Sequence, residues 1–380
     1  MKLGIKTTAL RRLFGATLVT LATAQTAAPP SDWPEFTFAG RITDKEKLKY
    51  NPVNEFIFPS IFHAGEHLDK PLGEWYLYYA PHDDPGGICL MHADDLDGPW
   101  TEYENNPIIK NKWDGEYSVP HVSSPEAIWN DESDRLFVYF HGSNAVTRWA
   151  ETEDGVNFID TEEAVTNKMG GSKVTETSYA RVFKHPDSSS KYTYAMFYMG
   201  NEKDDIRRIR LAESIDGKDW VVDPDYVVTP GPEEGKNVSG GNLWEWKGKL
   251  YVIYHGSNGK IYARTIDRTL RHVGSKPILL HEASGKGVDR GRVAAPEIVT
   301  YQEKTYLFYE SGDRLGGTIA YATAEASEEE GDGVSARATK GATKGAGKGA
   351  GKGADESSSG LCQKQPAVSL LVLFLMVMYF

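Results

Sequence analysis

Polar side chains able to donate or accept protons recur along the chain at nearly regular intervals. Carboxylates and imidazoles in such a series are suited to general acid–base work, and amide and guanidinium groups are suited to holding hydroxyl groups or anions. The members of this first set, separated by 66, 55, 61 and 55 residues, are Glu55, His121, Glu176, Asn237 and Arg292.

A second polar set follows a recurring aromatic segment. It includes His82 with Asp83, His141, His255 and Glu310. Burying an unpaired charge is unfavourable by several kcal/mol, so polar residues at the same place in every repeat predict a water-filled pocket. The alternative is that these groups cap strand ends or form ion pairs at a solvated rim. Three histidines in different repeats give only a weak metal signal, because they lack local ligand spacing.

The repeats themselves span residues 33–325 and indicate how these side chains are positioned. Each repeat has an inner segment, an aromatic segment such as Trp75-Tyr76-Leu77-Tyr78-Tyr79, and a third segment that ends in an acidic turn. This period, with no helical periodicity between the segments, predicts an all-β fold: a five-bladed β-propeller of four-stranded antiparallel blades. The fifth repeat lacks a fourth strand, so we expect Glu35 to Ile42 to supply it.

In a propeller, the inner strand of each blade starts at the pocket face and the second strand returns to it. The first polar set precedes the inner strands and the second set follows the second strands. Both sets are therefore expected to meet at one central mouth. An ion on the propeller axis is possible, but the sequence shows none, and no cofactor motif is present.

Both ends of the chain lie outside this repeat region. Residues 1–24 combine basic residues, an apolar stretch and small residues before a cleavage site, which predicts a signal peptide. Residues 326–360 form a Lys/Gly/Ala/Ser tether, and residues 361–380 end in an apolar tail. The layout favours a GPI-attachment signal over a tail anchor, and hence a secreted or extracellular surface protein tied to the membrane only through that end.

Composition restricts the partners further. The formal net charge of -12, without a basic stripe, argues against nucleic acid. Only Cys89 and Cys362 are present, and Cys362 would leave with the tail, so no disulfide framework supports the domain. We expect a monomer held together by its core.

The inner segments Ser124-Pro125-Glu126 and Ala295-Pro296-Glu297, with Asp-Gly turns closing third strands, carry a resemblance to known enzymes. From about Asn54 to Glu325 the chain resembles the five-bladed glycoside hydrolases of family 43 and the related family 117, which acts on agar-type oligosaccharides. The resemblance implies a carbohydrate substrate in the central pocket. Family 43 places two catalytic acids directly before the inner-strand proline, where this chain has no carboxylate. The residues at those positions are Phe58, Ser124, Tyr179, Gly240 and Ala295.

Glycoside hydrolysis usually needs two carboxylates, and Glu55 and Glu176 are the preferred pair because two blades separate them, which would favour inversion. Glu126 and Glu297 are alternatively structural partners of Arg148, Arg181 or Arg292. Two other functions remain open: a polysaccharide lyase using His, Tyr and Arg, and a noncatalytic carbohydrate-binding propeller.

The sequence therefore predicts the following site. The expected catalytic residues are Glu55, Glu176, His82, His141 and His255, and the expected substrate-binding residues are Asp83, His121, Glu126, Arg181, Asn237, Asn242, Arg292, Glu297 and Glu310.

Overall fold

The computed structural model describes residues 26–314 and 316–325. The predicted signal peptide (1–24), tether (326–360) and apolar tail (361–380) lie outside the described residues. Within the described ranges, no helix is long and apolar enough to span a bilayer.

The described chain is built almost wholly of strands, with one short 3-10 turn at Lys45–Lys47 and a single-turn helix α1 at Ala64–His67. The strands, in chain order, are β1 (Thr37–Arg41), β2 (Ile57–His63), β3 (Trp75–Ala80), β4 (Cys89–Ala93), β5 (Thr101–Glu102), β6 (Lys112–Trp113), β7 (Tyr117–Ser118), β8 (Val122–Asn130), β9 (Arg135–Gly142), β10 (Val146–Thr152), β11 (Phe158–Thr166), β12 (Val174–Lys184), β13 (Tyr194–Glu202), β14 (Arg207–Ser214), β15 (Trp220–Val228), β16 (Val238–Trp246), β17 (Lys249–Gly256), β18 (Ile261–Ile266), β19 (Ile278–His281), β20 (Val293–Tyr301), β21 (Lys304–Ser311) and β22 (Thr318–Glu325).

These strands form five antiparallel four-stranded sheets, which confirms the predicted five-bladed propeller. Blade one is β2-β3-β4-β5, blade two is β8-β9-β10-β11, blade three is β12-β13-β14-β15 and blade four is β16-β17-β18-β19. Blade five is β20-β21-β22-β1, and β6 and β7 form a separate two-stranded ribbon.

The ring closes through the first strand of the chain. Strand β1 pairs antiparallel with β22, with Thr37 opposite Thr323 and Arg41 opposite Ala320. The outer strand of the last blade therefore comes from the N-terminal segment, as the sequence predicted for Glu35 to Ile42. This closure protects the edge that the fifth repeat would otherwise leave unpaired.

Burial falls from the inner to the outer strands. Every residue of β2 and β3 is buried, because each blade is packed between two neighbours, and this explains why the aromatic segments are apolar on both faces. Strands β1 and β11, at the rim, are largely exposed. Between blades two and three, for example, Tyr139 and Trp149 pack against Val182 in one apolar cluster.

Each inner strand carries the same backbone irregularity. One residue has a positive φ, and the ladder to the second strand shifts register at that point, which is a β-bulge. A positive φ is strained by about 1–2 kcal/mol for any residue except glycine. Bulges change the direction of the neighbouring side chains, so residues before and after a bulge can point to different regions of the fold. The bulge residues are Phe58 (61°), Ser124 (53°), Tyr179 (53°), Gly240 (62°) and Ala295 (46°).

Candidate active site

Two adjoining cavities lie where the inner strands begin and the second strands end. The smaller has about 20 Å³ in which the centre of a water-sized molecule can lie, which is room for about one water. The larger has about 400 Å³ of such space. Tyr179, Arg292 and Arg314 line both. The smaller is also lined by Glu55, Phe58, His82 and Glu310, and the larger by Asp205, Arg207, Asn237, Ser239, His255 and Ser257.

Each of two carboxylates at the smaller cavity has one oxygen with a hydrogen-bond partner and one without. Glu55 Oε2 accepts a hydrogen bond from the backbone N–H of His82 at 2.8 Å, and Glu310 Oε2 accepts one from Arg292 Nη2 at 2.6 Å. The Oε1 atom of each is buried and has no hydrogen-bond partner in the described part of the chain. Because buried acceptors are normally paired, two such atoms beside one cavity mark a place prepared for a ligand or a water.

Tyr179 stands between the two cavities on the bulge of blade three. Its ring packs edge-on against Phe58, with centroids 5.0 Å apart. Burial, with a further contribution from the Glu310 carboxylate, raises the pKa of Tyr179 to about 12. The hydroxyl is therefore protonated at neutral pH and can donate a hydrogen bond.

His255, on strand β17 of blade four, lines the larger cavity. Its Nδ1 accepts a hydrogen bond from the backbone N–H of Ala295 at 3.1 Å. Burial, and then the charge of Arg292, hold the pKa of His255 well below its ordinary value. The ring is thus neutral with its proton on Nε2, which makes that atom a hydrogen-bond donor.

The other histidines form a row of rings that leads to Tyr179. His82 stacks on His121 with centroids 6.1 Å apart, His121 meets His141 edge-on at 5.4 Å, and His141 lies parallel to Tyr179 at 6.3 Å. His82 Nδ1 is 2.9 Å from Oδ1 of Asp83, whose side chain is about half exposed. Among the described residues, no group of three His, Cys, Asp or Glu side chains is placed to hold a metal ion.

Burial, together with the positive charge that His121 and His82 can carry, keeps the pKa of His141 well below its ordinary value. Neither of its ring nitrogens has a hydrogen-bond partner within the described ranges. His141 is accordingly neutral and supports Tyr179 by packing.

Glu176, the second carboxylate of the predicted pair, is engaged by two neighbours. Its Oε1 accepts a hydrogen bond from Ser178 Oγ at 3.0 Å, and its Oε2 is 3.5 Å from Arg207 Nη2. The backbone N–H of Arg207 donates to Oδ1 of Asn237 at 2.9 Å. Glu176 does not line the larger cavity itself, but it contacts Arg207, which does. The sequence did not single out Arg207.

Four predicted substrate-binding residues lie instead in a buried cluster around the axis. Arg181 Nη1 is 2.6 Å from Glu126 Oε2 and 3.6 Å from Glu297 Oε2. Ser60 Oγ also donates to Glu126 Oε2 at 3.0 Å, and Asn242 Nδ2 donates to Glu297 Oε2 at 2.9 Å. These five residues, one from each blade and each two positions after the bulge, are called the axial ring below.

The axial ring is separate from the two cavities, because none of its members is among their lining residues. Arg181 also donates to the backbone oxygen of Pro59 at 3.0 Å, so one side chain joins blades one, two, three and five. Its guanidinium places a positive charge between the carboxylates of Glu126 and Glu297. The alternative of Glu126 and Glu297 as structural partners of Arg181 matches these contacts.

Comparison with known proteins finds similarity in structure alone, since no protein-family model and no curated protein sequence matches the chain. It is similar to a thermostable family-43 glycoside hydrolase, with 15% identity, 77% of this chain and 98% of that chain covered, and a TM-score of 0.55. An α-L-arabinofuranosidase from Lactobacillus brevis gives 15% identity, coverage of 72% and 92%, and a TM-score of 0.52.

An α-L-arabinofuranosidase from Podospora anserina, solved with cellotriose, gives 9% identity, coverage of 78% and 97%, and a TM-score of 0.52. The chain therefore has the five-bladed propeller fold of glycoside hydrolases, which confirms the fold that the resemblance implied. At such identities the likeness establishes the fold, and the activity has to be argued from the site.

Proposed function

We propose that this protein is a secreted or surface-anchored glycoside hydrolase that cleaves a poly- or oligosaccharide in its central pocket. The observation that carries the proposal is the pair of buried, unpartnered Oε1 atoms of Glu55 and Glu310 beside a cavity with room for about one water. Hydrolysis of a glycosidic bond usually uses two carboxylates and a water, and the adjoining larger cavity offers space for a sugar. The fold shared with glycoside hydrolases supports the proposal.

The contacts of the two carboxylates suggest a division of roles. Arg292 donates a hydrogen bond to Glu310, so we assign Glu310 as the base that takes a proton from the attacking water. Glu55 accepts a hydrogen bond from the backbone N–H of His82 and makes no ion pair among the described residues, so we assign it as the acid that gives a proton to the leaving oxygen. The bond between the anomeric carbon and that oxygen breaks, the water oxygen bonds to the carbon, and solvent returns the protons to their starting places.

This division differs from the pair predicted from sequence, which combined Glu55 with Glu176. Glu176 is held by Ser178 and by Arg207, so each of its two oxygens already has a polar partner. In our proposal Glu176 instead orients Arg207. The pairing of Glu55 with Glu176 remains a prediction that the same experiment tests.

The test compares Glu55→Gln, Glu310→Gln and Glu176→Gln on a panel of polysaccharides, with new reducing ends as the readout. We expect Glu55→Gln and Glu310→Gln each to lower turnover by about 100-fold or more, because each removes a proton-transfer group. Glu176→Gln should retain most of the activity. Glu303→Gln is the matched control, since Glu303 is exposed in a turn. Full turnover by Glu310→Gln would refute the division of roles.

A polysaccharide lyase is the second candidate, favoured by Tyr179. This tyrosine lies between the cavities beside Arg292, and a lyase needs a Tyr or His to move protons and an Arg to neutralise a uronate carboxylate. A lyase creates a carbon–carbon double bond with ultraviolet absorbance, whereas a hydrolase creates reducing ends without it. Binding without either product would indicate a carbohydrate-binding protein.

Export and anchoring form a separate part of the proposal. They rest on the signal-like residues 1–24 and on the tether and apolar tail of residues 326–380. Expression in a eukaryotic cell, followed by a phospholipase C specific for phosphatidylinositol, should release the protein from the cell surface. Retention after that treatment, with release only in detergent, would favour the tail anchor.

A further inference from the structure

The wall of the larger cavity carries positive charges that the proposed hydrolysis does not use. Arg207 makes one long contact, at 3.5 Å to Glu176, and Arg314 has no ion pair within residues 26–314 and 316–325. The acid of this wall, Asp205, is already bound to Lys236 at 2.5 Å. Two guanidinium groups are therefore available to a ligand, and Arg314 is exposed to solvent.

The same wall also offers several hydrogen-bond donors, beside Asp205 and two serines. His255 presents Nε2–H because its Nδ1 is occupied by Ala295, and Asn237 has its Oδ1 occupied by the backbone N–H of Arg207. Neutral sugars present hydroxyl groups, each of which donates as well as accepts, so their sites normally include several free acceptors. A wall of donors fits a group that only accepts.

The two cavities differ in part in the charged residues that line them. Glu55 and Glu310 line only the smaller cavity and Arg207 lines only the larger, whereas Arg292 and Arg314 line both. The chain as a whole has a formal net charge of -12, so an anion is not attracted by the average surface. A cationic wall inside an acidic protein is a local feature of the site.

We propose that the sugar bound in the larger cavity is anionic, with a carboxylate or sulfate group held by Arg207 and Arg314. Guanidinium groups bind both oxyanions through paired N–H donors, so the two share one recognition chemistry. The inference rests on the proposed function for its carbohydrate ligand, but it does not depend on the hydrolytic step.

The test measures binding of the full chain to oligosaccharides in matched pairs by calorimetry. One arm compares oligogalacturonates with their methyl esters, and the other compares sulfated galactan oligosaccharides with desulfated counterparts. We expect an anionic member to bind at least about tenfold more tightly than its neutral partner, since a charge-assisted hydrogen bond is worth that factor. Equal affinity within both pairs, or no binding in either arm, would overturn the inference.

Variants then assign the anion to the two arginines. Arg314→Gln and Arg207→Gln should each weaken the anionic probe by about tenfold and leave the neutral probe unchanged, and Arg314→Lys should restore part of the loss. Arg41→Gln is the control, because Arg41 lies in an exposed ion pair at the rim. Equal weakening of both probes would show a structural effect and contradict the assignment.

The two proposals fail separately. If an anionic oligosaccharide binds through the two arginines but is never hydrolysed, the inference is supported and the proposed hydrolase activity is contradicted. Hydrolysis of a neutral oligosaccharide, with no preference for charge, keeps the hydrolase and removes this inference.

Discussion

The axial ring and the pocket are built from the same inner strands, yet they treat polar groups in opposite ways. In the axial ring, two positions after each bulge, Glu126 and Glu297 share the Arg181 guanidinium and accept further hydrogen bonds. At the pocket, Glu55 and Glu310 each leave one buried oxygen unpartnered. Polar groups in the axial ring form hydrogen bonds and ion pairs with one another, whereas the two carboxylates of the pocket keep an acceptor atom available to a ligand or a water.

The bulge makes this difference possible. In blade one the irregularity at Phe58 lies between the pocket residue Glu55 and the axial-ring residue Ser60, and the extra residue interrupts the regular alternation of side chains. One short segment can therefore serve the pocket at its start and the axis further along. The strain of a positive φ is retained in all five blades, including the four without glycine at that position.

The largest effect on stability is expected at the centre of the axial ring. Arg181→Met removes the cation and leaves two buried carboxylates uncompensated, which should lower the free energy of unfolding by about 3–5 kcal/mol. Denaturant unfolding measures the change. Arg41→Gln, which breaks an exposed ion pair, should change it by less than about 1 kcal/mol. Comparable losses from both variants would contradict a structural role for the axial ring.

The bulge of blade four should be the next most sensitive site. A Cβ at Gly240 would lie 3.0 Å from His255 Nδ1 and 3.3 Å from Ala295 Cα, at a φ of 62°. Gly240→Ala should therefore lower the free energy of unfolding by about 1–3 kcal/mol and displace His255.

Gly248→Ala is the matched control for that substitution. Gly248 has a φ of 71°, and a Cβ added there would meet no atom within 4 Å, so it reports backbone strain without the steric clash. The control should lose about 1 kcal/mol. A loss at Gly240 no greater than at Gly248 would show that the bulge tolerates a side chain against His255.

Acid should lower the stability of the fold through two buried histidines, His141 and His255. The pKa values of His141 and His255 are lowered in the folded state, chiefly by burial, so the unfolded chain binds more protons below the ordinary histidine pKa of 6.5. Their contribution to stability is complete above that pH and is lost as the pH falls, by up to about 1.4 kcal/mol per pH unit for each histidine.

The measurement is denaturant unfolding at several pH values between neutrality and mild acid. His141→Phe keeps an aromatic ring against Tyr179 and removes one titrating group, so its loss of stability on acidification should be smaller than that of the unchanged protein. Identical slopes for the two proteins would show that His141 is not responsible.

The sequence predicted the blades, and it did not separate the polar residues of the pocket from those of the axial ring. The aromatic segments and the closing strand were predictable because each depends on local pattern and on pairing an otherwise open edge. Glu55 and Glu126 were assigned to one site because both are acids near the start of an inner strand, and only the bulge geometry separates them. Arg207 and Arg314 were missed because they do not occur at the repeating positions.

The smallest change in stability is expected in a comparison within blade five. Glu297 and Glu310 are both buried, at 3% and 1% exposure, and they lie on paired strands. Glu297→Gln weakens the compensation of the buried Arg181 and should destabilise by about 1–3 kcal/mol. Glu310→Gln affects Arg292, whose side chain is 27% exposed and can be solvated, so its change should stay within about 1 kcal/mol.

Turnover should follow the opposite order in these two variants, because only Glu310 lines a cavity. Residual activity of Glu297→Gln, corrected for the folded fraction, should approach that of the unchanged protein, whereas folded Glu310→Gln should be nearly inactive. If stability and turnover fell together in both variants, the axial ring and the pocket would act as one unit. Opposite orders would instead show that blade five carries a group that maintains the fold on its inner strand and a group that reacts on its second strand.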